Sequence, residues 1–260
     1  MVFSHIMETF KKHQFLLEEL VKRDFKQKYK RTVLGMGWSL LSPLLTLLVM
    51  RLVFTQFFGR GMAHYTTYLF AGNLLYSYFR EATTGGMNAL MSNAHIFTRI
   101  NVPKYFFLLT KNVSAALNFL ITLAVFLLFT ALDGVPFRWT FLLMLYPILM
   151  LTLMNIGFGM LLSALYVFFR DIQYLYDIFT LLLMYVSAIF YTVDAYPAQI
   201  QRLFMLNPLY ACIRYVRIVV LDGTVPSLMH HGLLLLYAAA LLFLGGLIYK
   251  KKNHQFLYYV

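Results

Sequence analysis

The sequence predicts an all-α, polytopic membrane protein with six transmembrane helices. An amphipathic interfacial helix precedes them, short re-entrant or surface helices separate the fifth and sixth spans, and both termini are expected to be cytoplasmic. Three observations predict this. Of the 260 residues, 61% are hydrophobic and only 12% are charged, against about 25% charged in soluble domains, which leaves too little polar surface to coat a globule in water. The charges sit in short blocks between apolar runs of the roughly 20 residues a spanning helix needs. Lys and Arg are also divided unevenly between alternate connecting segments, fourteen against five if the N-terminus is inside, and that bias sets orientation.

The expected organisation is a cytoplasmic amphipathic segment, 1–33, a transmembrane domain, 34–249, and a cytoplasmic tail, 250–260. In the first segment Phe3, Ile6, Phe10, Leu17, Leu20 and Val21 fall on one stripe of a helical wheel, and Glu8, Lys11, Lys12, Glu19, Lys22 and Lys26 fall opposite. Phe15 breaks the pattern. This reads as a helix lying in the interface plane, with a polar tail as the alternative. The segment is polar and charged, unlike a cleavable signal. Its end, 22–31, carries six positive charges, Lys22, Arg23, Lys26, Lys28, Lys30 and Arg31. Each contributes about 1 kcal/mol of attraction to an anionic leaflet, so the block anchors the start of the first span.

The spans are expected at Leu34–Phe58, Tyr65–Thr83, Phe106–Leu132, Trp139–Phe169, Ile172–Thr192 and Leu228–Tyr249. The second is short and less apolar. The fourth is the longest uncharged run, tilted or broken at Pro147. Asp171 is placed to cap the fifth. Arg51 can snorkel to the outer interface. Arg80 and Glu81 read as the inner boundary of the second span, in preference to a place in a polar pathway.

Several chemistries are excluded. Cys212 is the only cysteine, so there is no internal disulfide and no CxxC site. No Gly-Lys dipeptide occurs, so a Walker A phosphate loop is absent, as are HExxH and GxSxG. His230 and His231 are adjacent and point to different sides of a helix, so no metal site is expected. Carboxylates are too sparse for a proton relay or an enzyme. The net charge of +12 lies in blocks between spans and not on one face, so no nucleic-acid partner is expected.

Three irregular segments carry the remaining signal. In 91–105, Ser92 or Asn93 can cap a short helix that Pro103 ends, with Ile96, Phe97 and Ile100 forming an apolar ridge. Such a two-turn helix suits docking into a groove on a soluble partner; a loop folded back on the bilayer is the alternative. In 194–227, Pro197 and Asn207-Pro208 mark two helix starts and Asp222-Gly223 a stop. There Arg214 and Arg217 share a face and oppose the charge bias, which suits a lipid headgroup or a diphosphate. Among 25 Phe, 19 Tyr and 2 Trp, most belong to interfacial belts. Tyr76, Tyr78, Phe79, Phe190 and Tyr191 are candidates to line a path, since aromatic faces stack on sugar rings.

Five stretches in order, "RDFKQKYKRTVLGMGWSLLSPLL" (23–45), "YLFAGNLLYSYF" (68–79), "SNAHIFTRINVPKY" (92–105), "LLSALYVFFRDIQYL" (161–175) and "LNPLYACIRYVRIVVLDG" (206–223), resemble the permease of ABC-2 type polysaccharide exporters over nearly the whole chain. Gly35, Trp38 and Pro43, and later Arg170 and Asp171, match the family pattern. The resemblance implies a homodimer in a bacterial inner or plasma membrane, joined to two copies of a separate ATP-binding subunit that would carry ATP and Mg. This chain itself would bind no cofactor and would not be an enzyme. It also implies that the N-terminal helix, here with Lys22 and Lys26, and the loop at 92–104 contact the ATPase. The short outer helices would cap the pathway, and the substrate would be a glycan on a polyprenyl diphosphate lipid. Capsule-type relatives differ more in the opening segment, which favours O-antigen or teichoic acid. The rival readings are an ABC-2 permease for a drug or small lipid, a transferase acting on polyprenyl lipids, and a structural anchor.

Overall fold

The computed structural model describes residues 14–24, 26, 32, 34–59, 62–99, 102–253, 255–257 and 259. Among these every regular element is helical. Residues 14–24 form α1. There follow α2 (Trp38–Phe58), α3 (Tyr65–Ser92), α4 (Ala94–Phe97), α5 (Tyr105–Leu132), α6 (Leu145–Phe168), α7 (Ile172–Val186), α8 (Ala198–Phe204), α9 (Pro208–Arg217) and α10 (Leu228–Lys252). The chain is a multi-pass membrane protein: α2, α5, α10 and the run Trp139–Phe168 are each long and apolar enough to cross a bilayer, and α8 with α9 form a bent pair.

The expected six spans are therefore only partly met. Four described helices qualify by length and composition, or five if the bent pair is one span. The second span runs on to Ser92, well past the expected Thr83, and most of its residues are buried by other helices. A helix screened from lipid needs no lipid-like composition, which is why its polarity made it look short. Arg80 and Glu81 consequently lie inside α3, three turns before its end, and do not mark a boundary. The fourth run opens with the 3₁₀ turn Trp139–Met144, so Pro147 falls in the first turn of α6 and breaks nothing.

The fifth span departs furthest. α7 stops at Val186 after 15 residues, about 22 Å at 1.5 Å per residue, short of the roughly 30 Å of hydrocarbon. Ala188, with φ of 49°, turns the backbone out of the helix. Asp171 holds the N-cap position but its side chain makes no cap bond. Asn207 does cap α9, accepting from the backbone of Leu209 and Tyr210, and Asp222-Gly223 ends the π-helical turn Ile218–Asp222 as expected.

Helix α3 is central, packed by α5, α6 and α9, while α10 lies along α6. The α6–α10 seam is tight because two glycines meet: a Cβ on Gly157 would sit 2.4 Å from the Leu241 carbonyl carbon, and one on Gly245 would sit 2.5 Å from the Gly157 oxygen. Without a hydrophobic drive in lipid, such close backbone approach is what holds helices together. A second apolar cluster gathers Leu20 of α1, Leu90, Phe97, Phe106, Val167, Tyr249 and Phe256. It brings α1 and the short turn Gln255–Leu257 to the same end of the bundle, the end where Lys250, Lys251 and Lys252 close α10.

Candidate functional site

Polar residues recur at helical spacing on three of the long helices. Ser39, Ser42 and Thr46 lie on α2, Asn73, Ser77 and Glu81 on α3, and Asn118 and Thr122 on α5. Spacings of three and four place each set on one face. The three faces converge on a groove of about 450 Å³ that these residues line together with Thr32, Trp38 and Pro43. Pro43 lies within α2 and cannot donate the helical bond to Ser39. On the groove wall Glu81 accepts from the Asn118 amide at 2.6 Å. A trough lined by hydroxyls, amides and one carboxylate can exchange weak hydrogen bonds with a hydroxyl-rich molecule.

The groove continues toward the basic end. Glu81 and Asn118 also line a smaller cavity of about 140 Å³ with Asp24, Gly85, Lys111 and Ser114. Asp24 is the hub there. Its carboxylate, only 7% exposed, pairs with Arg23 at 2.9 Å and with Lys111 at 2.7 Å. Arg23 in turn donates to the Asn93 side chain at 2.7 Å, and Asn93 joins α3 to α4. Helix α1, the α3–α4 corner and α5 are thus fastened together beside the groove.

At the opposite end Arg217 is buried. Its guanidinium donates to the carbonyls of Tyr68 (3.2 and 3.3 Å), Ala188 (2.9 Å) and Ile189 (3.0 Å), and lies 3.4 Å from the centre of the Tyr68 ring. The groups at 188 and 189 are those released when α7 stops early. In hydrocarbon such carbonyls must find a donor inside the protein, and Arg217 supplies it. Gly72 makes room, since a Cβ there would be 2.8 Å from the guanidinium.

The expected site residues are placed as follows. Arg214 and Arg217 do share a cavity, of about 340 Å³, with Asp194 and Asp222. Arg217, however, is committed to the backbone and is not an open anion contact. Phe97 does not stand on an exposed ridge. It is buried, 5.8 Å from Phe107 between ring centres, because α4 is amphipathic toward the protein. Ile96 is half-buried against the same cluster, and Ile100 lies outside the described residues. Lys22 and Lys26 are exposed on the basic end, where hydrogen bonding to Glu19 holds the Lys22 pKa above its usual value. Of the amphipathic stripe, Phe3, Ile6 and Phe10 lie outside the described residues, Leu20 is buried and Phe15 is 77% exposed.

The aromatic candidates do not line the groove. Tyr76 donates to the Thr180 carbonyl, Tyr78 pairs with Thr152 and packs on Phe119, and Phe79 stacks on Phe158. Phe190 stacks on Phe54 at 4.2 Å, and Tyr191 donates to the Tyr185 carbonyl. Tyr76, Tyr78 and Phe79 serve packing between helices, Phe190 packs the turn after α7 against α2, and Tyr191 ties that turn back to the end of α7. No cluster of His, Cys, Asp and Glu suited to a metal occurs among the described residues. His230 and His231 diverge, one to the Ala211 carbonyl and the other to the Tyr215 hydroxyl.

A sequence profile described as ABC-2 type transporter matches residues 16–221, most of the chain and all three walls of the groove. The chain belongs to the ABC-2 type transporter family. Full-length similarity agrees. The chain is 25% identical over 245 residues to the O-antigen export system permease protein RfbA of Klebsiella pneumoniae, covering 93% of each. It is 24% identical to the protein of the same name in Myxococcus xanthus, covering 93% of this chain and 94% of that one. It is 20% identical to the polysialic acid transport protein KpsM of Escherichia coli, covering 95% and 97%. This ABC-2 family member therefore has homologues named for O-antigen and for polysialic acid transport.

Proposed function

We propose that the chain is the permease subunit of an ATP-driven exporter that moves a polysaccharide, O-antigen or a teichoic-acid-like polymer, across a bacterial inner or plasma membrane. The observation that carries this is the hydroxyl- and amide-lined groove in a chain whose relatives along nearly its whole length are named for polysaccharide transport. A glycan presents many hydroxyls, and a wall of Ser, Thr and Asn offers bonds that each form and break easily. Translocation needs contacts weak enough to leave as well as to enter.

The polymer would be carried on a polyprenyl diphosphate lipid. The basic end would face the cytoplasm, following the charge bias, with six crossings once α3 and the broken α7 are counted. α2 and α7 expose long apolar faces, which suits a homodimer whose two grooves share one path. A separate ATP-binding subunit would dock at the basic end on α1, through Lys22 and Lys26, and on the 92–104 connection through Ile96 of α4 and through Ile100, which lies outside the described residues. Closure of that subunit would reach the groove through Arg23, Asp24 and Lys111.

The test is to replace Ser42 and Ser77 by Leu, singly and together, in cells that depend on this chain for surface polymer. Polymer at the cell surface should be lost while membrane insertion and co-purification with the ATP-binding subunit are kept. Undiminished export by the double variant would refute the groove as the path. ATP turnover in the purified complex should rise with lipid-linked glycan and not with small lipids or drugs.

A further inference from the structure

A cavity of about 370 Å³ at the basic end lies apart from the groove, between the start of α5, the middle of α6 and the end of α10. Its walls are mainly apolar, formed by Pro103, Met160, Gly246 and Tyr249. Its charge comes from Lys104 and Lys250. Lys104 is only 9% exposed. Its ammonium donates to the Asn253 carbonyl and lies over the rings of Phe97 (6.0 Å) and Phe256 (5.6 Å). No carboxylate pairs with it among the described residues. Burial holds its pKa below the usual 10.5, as expected of an ammonium whose charge is not answered by an anion. Gly246 leaves space, because a Cβ there would meet nothing within 4 Å.

A buried cation at the mouth of an apolar slot calls for an amphiphile: an anion for the lysine and methylenes for the slot. A free phosphate would leave the apolar walls unused. A neutral lipid would leave the ammonium unanswered. We propose that this cavity holds an anionic glycerophospholipid, with its phosphate against Lys104 and Lys250 and the first methylenes of an acyl chain against Met160 and Gly246. Basic pockets between spanning helices are a recurring way to hold such headgroups. The site needs only that the chain lies in a bilayer, so it stands or falls separately from what the protein exports.

The experiment is native mass spectrometry of the full chain in detergent, titrated with phosphatidylglycerol, phosphatidylcholine, polyprenyl phosphate and inorganic phosphate. Phosphatidylglycerol should be retained over phosphatidylcholine. Lys250→Gln should weaken it about fivefold, the usual contribution of one basic residue near a lipid surface. Gly246→Leu, whose Cβ has open space and whose branched end would occupy the slot, should abolish retention, while Lys251→Gln should change nothing. Equal retention of the two phospholipids would overturn the proposal. So would an equal loss in Lys250→Gln and Lys251→Gln, which would mean diffuse surface charge. Stronger retention of polyprenyl phosphate, or competition by inorganic phosphate alone, would overturn the assigned occupant. Surface polymer is measured on the same variants, and normal export by Gly246→Leu would separate failure at this site from failure of the transport reading.

Discussion

Asp24 is the only acid in the cationic block 22–31, and the structure makes it the joint between α1 and the bundle. Asp24→Asn keeps the shape and removes the charge. Two cations, Arg23 and Lys111, then face each other without the carboxylate that they share at 2.9 and 2.7 Å. Removing one partner of a fully buried ion pair costs about 3–5 kcal/mol. Arg23 is 32% and Lys111 21% exposed, so water recovers part of that and about 2 kcal/mol is expected. At roughly 2–4 °C per kcal/mol for a chain of this size, the melting temperature should fall by about 4–8 °C. Fluorescence-detected melting in detergent measures it. Lys111→Met should be destabilising alone and nearly neutral in the Asp24→Asn background, a coupling of about 1–2 kcal/mol. Strict additivity, or an unchanged melt for Asp24→Asn, would refute the joint. On the proposed function, export should fall in the same variant, because α1 would no longer be fastened to α5.

Two further outcomes follow from close backbone contacts. Gly157→Ala must push α6 and α10 apart by about 1 Å and should cost about 1–3 kcal/mol in the same melting assay, whereas Gly246→Ala on the facing helix meets nothing and should cost no more than a few tenths of a kcal/mol. Arg217→Lys keeps the charge but a single ammonium cannot bridge Tyr68, Ala188 and Ile189, so roughly 2 kcal/mol should be lost, with faster proteolysis at 187–196; Gly72→Ala, which displaces the guanidinium, should give the same cleavage pattern.

Much of the fold was legible in the sequence because hydrocarbon imposes a plain rule: an uncharged run of sufficient length must be a helix. The limits of α2, α5 and α10 follow from that rule to within a few residues. It misjudged α3, because polarity signals exposure only when a helix faces lipid, and α3 faces protein. The groove was legible too, in Ser39-Ser42-Thr46, Asn73-Ser77-Glu81 and Asn118-Thr122, whose spacing is helical. The aromatic rings beside it are the stronger signal in the sequence and mask it. Tyr76, Tyr78 and Phe79 are large enough to serve a sugar, yet size is also what a helix seam needs, and the seams claim them. Phe97 misled in a similar way. An apolar triplet on a short helix says that one face is buried, and only tertiary packing says against what.

Arg217 shows why the charge rule has exceptions worth reading. Arg214 and Arg217 sit at the end of the bundle opposite the lysines, against the prevailing bias. Had both faced solvent, an anion would be the natural reason for them. The reason for Arg217 lies instead in α7, which stops at Val186 and turns at Ala188. A helix broken inside a membrane leaves carbonyl groups that water cannot reach. Four guanidinium bonds to three carbonyls answer that need, and they tie the turn after α7 to α3 through Tyr68. The break is thereby made stable, and the segment beyond it is anchored at both ends: the Tyr191 carbonyl accepts from the Tyr68 hydroxyl, Val193 is buried, and the Met205 carbonyl accepts from the Tyr237 hydroxyl. Between those anchors residues 194–200 are exposed, and they are the part of the segment able to move while α3 and α9 stay joined. Cross-linking the 194–201 stretch to α3 should then stop export without lowering the melting temperature, and unimpeded export by the cross-linked protein would show that the segment does not move.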